Sequence, residues 1–368
     1  MPQVYVGLDG HSKQSVYVVE NETGKVMGRG EVPTTPEGLY EMVRRHALPA
    51  GTKVALETGT VAFYIARQLR KHGLEPVVVD AHEVRLKAHR PQQKSDRRDA
   101  YELCEGLRGG IYRSIVHVPP QEISHLRESL SRRRHFVRLR TAEVNAVKRL
   151  LRAAGLGHLA RSLSTEAAWD KLLSQMPASE MNLRSFIAQH RAAWSCAGAQ
   201  IDALEADLEA QQVPFREDLE LAQTVPGVGP IVALTVVAVF SDVKRFRSAK
   251  HAASYTGITP STSQSADRDT HGHITKRGSA ELRAMLCEAA HHARKPTHPL
   301  NPYFAKVCAK RGYKAAIVAV AHRLCRILYA LLRHRTPFDP TRLGIEIGPF
   351  EKRIVRPYRL RPRQKAIA

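Results

Sequence analysis

The stretch Val4-Tyr5-Val6-Gly7-Leu8-Asp9-Gly10 decides how the first hundred residues fold. An apolar run that ends on an acid and a glycine reads as a buried strand leaving its sheet at a carboxylate. Working outward, 15–19 is rich in β-formers, and Asn21-Glu22-Thr23-Gly24 is a turn into a third strand over 25–32. A helix is expected over 37–46, a short strand at 54–56, a helix over 61–71, a strand at 76–79 and a helix over 96–107. Three strands joined by short turns, followed by strand–helix alternation, indicate a mixed α/β sheet covered by helices. Residues 84–98, with Arg85, Lys87, Arg90, Lys94, Arg97 and Arg98, read as a basic loop.

Charge and length bound the rest. The chain has 368 residues, enough for two or three domains. Its 57 Lys+Arg against 35 Asp+Glu leave a net charge of +22. Such a charge repels itself unless a polyanion neutralises it, so nucleic acid is the first expected partner and an anionic membrane the second. The longest apolar run, 230–240, is about half of the ~20 residues a membrane span needs, and no membrane partner is expected. The five cysteines are scattered and form no CxxC pair, which argues against a disulfide framework or a zinc ribbon and for buried thiols. The N-terminus lacks a signal-peptide layout, and a soluble intracellular protein is expected.

From about residue 122 the period becomes helical. Ile123, Leu126, Leu130, Val137, Val144, Val147 and Leu151 keep 3/4 spacing if Arg133 and Arg140 fill two seam slots. Ile187, His190, Trp194, Ala197, Ile201, Leu204 and Leu208 do the same. Two long helices with heptad-like seams suggest a coiled-coil arm or a dimer contact. The first is strongly basic, with Arg127, Arg132, Arg133, Arg134, Arg138, Arg140, Lys148, Arg149 and Arg152 against few acids, and phosphate contact is favoured over a merely solvated face.

Three groups of residues carry chemistry. Asp9 and Glu57 each follow an apolar strand, and Asp96 and Asp99 stand at i and i+3 on a helix start. Any one alone reads as a turn or a cap, but four acids brought together would raise one another's pKa unless cations lay between them. Mg2+ is the oxygen-seeking ion that suits the cluster, and two ions about 4 Å apart would clamp the attacking and leaving oxygens of a phosphodiester. Thr224-Val225-Pro226-Gly227-Val228-Gly229-Pro230 resembles the hairpin of a helix-hairpin-helix, in which Gly227 and Gly229 let backbone approach a phosphate; a Pro-Gly turn that merely starts a buried helix is the alternative, and the net charge favours phosphate contact. The hydroxyl-rich loop 255–265, with Lys276, Arg277 and Arg283 after it, would set a serine against a phosphate held by cations; taken alone it reads as an ordinary loop.

The acids in that order resemble the ribonuclease H-like superfamily in its RuvC-like, Holliday-junction-resolvase branch. With Tyr255-Thr256-Gly257-Ile258-Thr259-Pro260, Gln264-Ser265, Ile274-Thr275-Lys276-Arg277-Gly278 and Leu282-Arg283, the chain resembles over about 3–335 the DEDD transposases of insertion sequences, also called bridge-RNA-guided recombinases. The resemblance implies a RuvC-like α/β metal-dependent domain (1–112), a basic helical coiled-coil arm (113–215) and a mainly α transposase domain (216–335); the Pro- and Arg-rich composition beyond it reads as a basic tail (336–368) ordered only when bound. It implies Asp9, Glu57, Asp96 and Asp99 as ligands of Mg2+, and a nucleophilic serine at Ser265, with Ser263 as the alternative because Ala266 stands where the family's pattern has glycine. It implies donor and target DNA, a noncoding bridge RNA that pairs with both, and a homodimer or homotetramer. The corresponding location is cytoplasmic and nucleoid-associated in a prokaryote. Arg132, Arg133, Arg134, Arg138, Gly227, Gly229, Lys276, Arg277 and Arg283 are the expected nucleic-acid contacts. Two other readings remain: a metal-dependent nuclease that uses the four acids alone, and a non-catalytic basic nucleic-acid-binding protein.

Overall fold

Alternation along the first strand determines what lies on each side of the sheet. In the computed structural model, which describes residues 3–87, 95–265 and 268–343, the chain divides into two compact units between Pro119 and Pro120. The first contains β1 (Val4–Gly10), β2 (Gln14–Asn21), β3 (Val26–Pro33), α1 (Pro36–Arg45), β4 (Lys53–Glu57), α2 (Ala62–Lys71), β5 (Glu75–Val79), α3 (Ala81–Lys87) and α4 (Asp96–Arg108). The strands form one sheet in the order β3-β2-β1-β4-β5. β1, β2 and β3 are antiparallel, whereas β4 runs parallel to β1, and β5 to β4.

Val6, Leu8, Val54 and Leu56 point to one face and join Leu39 and Met42 of α1 and Ile65 and Leu69 of α2 in a closed core. Fully burying each of these larger side chains contributes about 1.5–3 kcal/mol. Successive strand residues alternate faces, so Gly7, Asp9, Ala55 and Glu57 point the other way. On that side α4 crosses the sheet, so close that a Cβ on Gly7 would stand 2.0 Å from the Ala100 carbonyl oxygen. Glycine at position 7 is what lets the helix reach the sheet.

The expected elements of this unit are present, with one correction. The basic segment 84–98 is not a loop at its start. Asp80 caps α3 through Oδ1, and Glu83 bonds Lys87 one turn on. Burial raises the Glu83 carboxyl, but Lys87 and the Ser114 and Arg113 N–H groups outweigh it and hold its pKa at about 2. Arg90 and Lys94 lie outside the described residues.

The second unit begins with α5 (Gln121–Ala153), α6 (Glu166–Gln175) and α7 (Met181–Gln211). At 33 residues, α5 is about 50 Å long. It pairs with α7 in antiparallel fashion: Ser129 meets Gln211, Arg133 meets Glu205, and Glu143 meets His190. The seam residues Ile123, Leu126, Leu130, Val147 and Leu151 are buried, as are Ile187, Trp194, Ala197, Ile201 and Leu208. Both seams are therefore occupied within one chain, which accounts for the heptad spacing without a dimer contact. α6 folds over the far end, where Trp169 packs on Trp194.

Next come α8 (Arg216–Gln223), α9 (Pro230–Phe240), α10 (Ala249–Tyr255), β6 (Pro260–Ser265), β7 (Arg268–Ile274), α11 (Ala280–Ala290), α12 (Asn301–Arg311) and α13 (Tyr313–His334). The hydroxyl-rich segment, read as a loop, is an antiparallel hairpin in which Thr262 pairs with His271 and Ser265 with Arg268. The β-branched Thr259, Thr262 and Thr270 favour extended backbone there. α10 and α12 are not foreseen by the sequence pattern. Pro302 opens α12 and Gly312, at φ 79°, breaks it from α13. α13 is long and apolar enough to cross a membrane by length and composition. Its Ile317, Val320, Leu324 and Leu328 instead lie in this unit's core beside Leu282 and Leu286 of α11. Of the cysteines, Cys104 and Cys325 are buried as expected, and burial pushes both thiols up to about 12. Cys196 is exposed, contrary to expectation. Most of the basic tail, 344–368, lies outside the described residues.

Candidate metal centre and nucleic-acid interface

Asp9 and Glu57 are not beyond their strands but in them, one step past the Leu8–Leu56 register pair on neighbouring parallel strands. Both therefore stand at the same end and on the same face of the sheet. That is the face α4 covers. Ser95 caps α4 by accepting the Arg98 N–H at 3.4 Å, which makes Asp96 its first residue and puts Asp99 in its first turn. Acids there gain from the helix dipole, so the helix start suits both carboxylates.

A fifth side chain enters the cluster. His11 Nε2 lies 3.1 Å from Asp9 Oδ2 and 3.4 Å from Asp96 Oδ1. The ligand atoms of Asp9, His11 and Asp96 all lie within 4.8 Å of one another, close enough to hold one metal ion. Glu57 and Asp99 adjoin this group through the strand register and the helix turn but are not part of it. The donor set of carboxylate oxygens with one imidazole nitrogen fits a divalent cation. The sequence pattern does not single out His11, although Asp9 and His11 at i and i+2 would share a face in extended chain.

In the second unit, the glycine turn lies between α8 and α9. Gly227 adopts φ 84°, and a Cβ there would stand 3.0 Å from the Ala289 carbonyl oxygen, so the turn itself needs glycine. Gly229 precedes Pro230 at the start of α9 and has open space before its Cα. His298, likewise unmarked in the sequence, holds this turn. Its Nδ1 accepts the Leu300 N–H, which leaves Nε2 to donate to the Pro226 carbonyl at 3.1 Å. Burial lowers the His298 pKa and so favours this neutral form.

The two segments that frame the hairpin lie back to back. A Cβ on Gly257 would meet the Arg277 carbonyl oxygen at 2.2 Å, and one on Gly278 would meet that of Tyr255 at 1.9 Å. Arg283 ties them, donating to the carbonyls of Thr256 (2.9 Å) and Gly278 (3.1 Å). Lys276 and Arg277 are exposed beside this clip. The side chains of 262–271, Ser263 and Ser265 among them, lie outside the described residues.

The basic face of α5 divides in two. Arg132 and Arg138 are exposed and Arg134 half-buried, whereas Arg133 bonds Glu205 in the seam. Arg127, read as part of the basic face, is turned inward: it donates to the carbonyls of Ala238 (2.8 Å) and Val239 (3.1 Å) at the C-terminal end of α9. Burial pushes its guanidinium below the ordinary value. Arg245 donates to the Phe240 carbonyl, so the end of this apolar helix is capped by two arginines.

An acid-bearing sheet followed by a basic helical unit with a glycine turn fits an enzyme that processes DNA. Comparison with known proteins makes that specific. Residues 6–155 match the model of the IS110-type DEDD transposases, described as "Transposase", and residues 219–305 match the "Transposase IS116/IS110/IS902 family". A "Probable family 20 transposase" of Pseudomonas aeruginosa is 29% identical over 78% of this chain and 86% of its own length. The "Transposase for insertion sequence element IS1111A" of Coxiella burnetii is 25% identical over 69% of this chain and 70% of its own. A "Pilin gene-inverting protein" of Moraxella lacunata is 34% identical over 32% of this chain and 38% of its own. The chain belongs to the IS110-type family of DEDD transposases, and it is an enzyme of DNA transposition or recombination.

Proposed function

We propose that this chain is an RNA-guided transposase that cuts and rejoins DNA with a Mg2+ site built on Asp9, Glu57, Asp96 and Asp99 and a serine nucleophile, Ser265 or Ser263. The observation that carries the reading is the gathering of Asp9 and Asp96 at one end of the sheet, with Glu57 next in register. The strand order, three antiparallel strands followed by two parallel ones, supports a RuvC-like fold for the first unit. Bound there, Mg2+ would polarise the scissile phosphate and ease departure of the leaving oxygen. The four carboxylates would hold it, and the sheet and α4 would fix their spacing.

The serine attack forms a bond from Oγ to phosphorus and breaks the bond from phosphorus to one deoxyribose oxygen. The hydroxyl proton is lost, and the leaving oxygen gains one. The phosphoserine so formed keeps the phosphodiester's energy for rejoining, which a water-activating nuclease does not. Exposed Lys276 and Arg277 would face the backbone phosphates, as would Arg132 and Arg138 and the turn at Gly227 and Gly229. Sequence would be read by pairing with a bridge RNA, and the protein would act as a homodimer or homotetramer on donor and target DNA.

The test is a denaturing gel with end-labelled DNA. A slow, protease-sensitive band that disappears in Ser265→Ala is expected. A band that persists in Ser265→Ala and vanishes in Ser263→Ala assigns the chemistry to the other serine. Full activity with no band under any condition would replace the serine mechanism with the plain metal-dependent nuclease.

A further inference from the structure

We propose that His11 is a nitrogen ligand of the metal site and shifts its preference from Mg2+ toward first-row divalent metals such as Mn2+. The inference rests on the carboxylate site proposed above and adds a donor that the four acids do not include. Three observations carry it. The imidazole Nε2 lies within 3.4 Å of one carboxylate from the sheet and one from the helix, so it sits where the two elements converge. All three ligand atoms fit within the reach of one ion.

The third observation is that the His11 backbone is fixed independently of its ring. Its N–H donates to the Gln14 carbonyl at 3.1 Å, and its own carbonyl accepts the Thr34 hydroxyl at 2.7 Å. Thr34 is in turn bonded to the buried Ser15 hydroxyl at 2.8 Å. The turn between β1 and β2 is thus pinned by Thr34, just after β3, and it presents the ring to the acids without help from a metal. Carboxylate oxygens alone suit Mg2+, which tolerates few nitrogen donors, whereas imidazole favours the first-row metals. A site with one imidazole among carboxylates should therefore still take Mg2+ and hold Mn2+ more tightly.

The experiment titrates the full chain with Mn2+ alone and reads electron paramagnetic resonance, including the electron spin-echo coupling to nitrogen. The wild type should show a 14N coupling from imidazole. In His11→Ala that coupling should vanish, and the Mn2+ dissociation constant should rise about tenfold or more. Mg2+ affinity, measured by displacement of Mn2+, should change much less. Because the turn bonds use backbone atoms, His11→Ala should fold, and His11→Gln serves as a second variant with the same expected loss. A wild type without nitrogen coupling, or a coupling that survives in both variants, overturns the assignment. A tenfold loss of affinity with no coupling in the wild type also overturns it, since His11 would then only orient Asp9. Asp9→Asn separates this from the underlying reading: if it leaves Mn2+ binding unchanged, the carboxylate site itself fails.

Discussion

The acid site of the first unit and the clipped hairpin of the second are held in different ways. In the first, regular elements aim side chains: alternation along β1 and β4 and the capped start of α4 bring the acids to one face. In the second, backbone holds backbone. Gly257 and Gly278 let two segments touch through their carbonyls, and Arg283 bonds both. A side chain aimed by a strand tolerates change around it, whereas two backbones in contact tolerate no added atom. The two sites should therefore fail differently.

The sharpest break of this comparison uses glycine. Gly278→Ala, at φ 115° and with a carbonyl oxygen 1.9 Å from the new Cβ, should cost on the order of 3–5 kcal/mol in the second unit. Metal binding by the first unit should survive it. Gly7→Ala should do the reverse: its Cβ would push α4 off the sheet, and with it Asp96 away from Asp9. Calorimetry and Mn2+ titration on both variants check the pair. Loss of metal binding in Gly278→Ala but not in Gly7→Ala would show that the sites are not built as described.

A smaller effect separates arginines that look alike in sequence. Arg127→Gln removes two bonds to the end of α9 and should lower stability by about 2–3 kcal/mol, as expected for buried bonds from a charged donor. Arg138→Gln should leave stability within about 0.5 kcal/mol and, on the proposal that Arg138 contacts one phosphate, lower the salt slope of DNA binding by about 0.7–0.9. Thermal melts and binding isotherms at several salt concentrations read both. If Arg138→Gln changes affinity without changing the slope, Arg138 is not a phosphate ligand.

Much of this architecture is legible in the amino-acid sequence, for physical reasons. Apolar and β-rich runs between turn residues mark the five strands around Asp9 and Glu57, and the 3/4 spacing marks the seams of α5 and α7 down to Arg133 as a seam residue. What stays hidden is set by tertiary contact. Nothing local says that Arg127 turns inward while Arg132 stays out, because the difference is the end of α9 more than a hundred residues away. His298 and His11 stay hidden for the same reason: each acts on a segment that only folding brings near, the Pro226 turn in one case and the start of α4 in the other. The serine segment reads as a loop because its sequence is polar and rich in hydroxyls, with no apolar run, whereas its backbone pairs as β6 with β7.

The central claim is that the acids at the end of the sheet form one metal site that cleavage requires. The direct measurement is Mg2+-dependent cleavage of DNA carrying the element's ends, by wild type, Asp9→Ala and Glu57→Ala, with nucleic-acid binding followed in parallel. The account predicts that both substitutions abolish cleavage, by a factor of about 100 or more, while binding stays close to wild type because the basic contacts are untouched. Full cleavage by both variants in Mg2+ would contradict it.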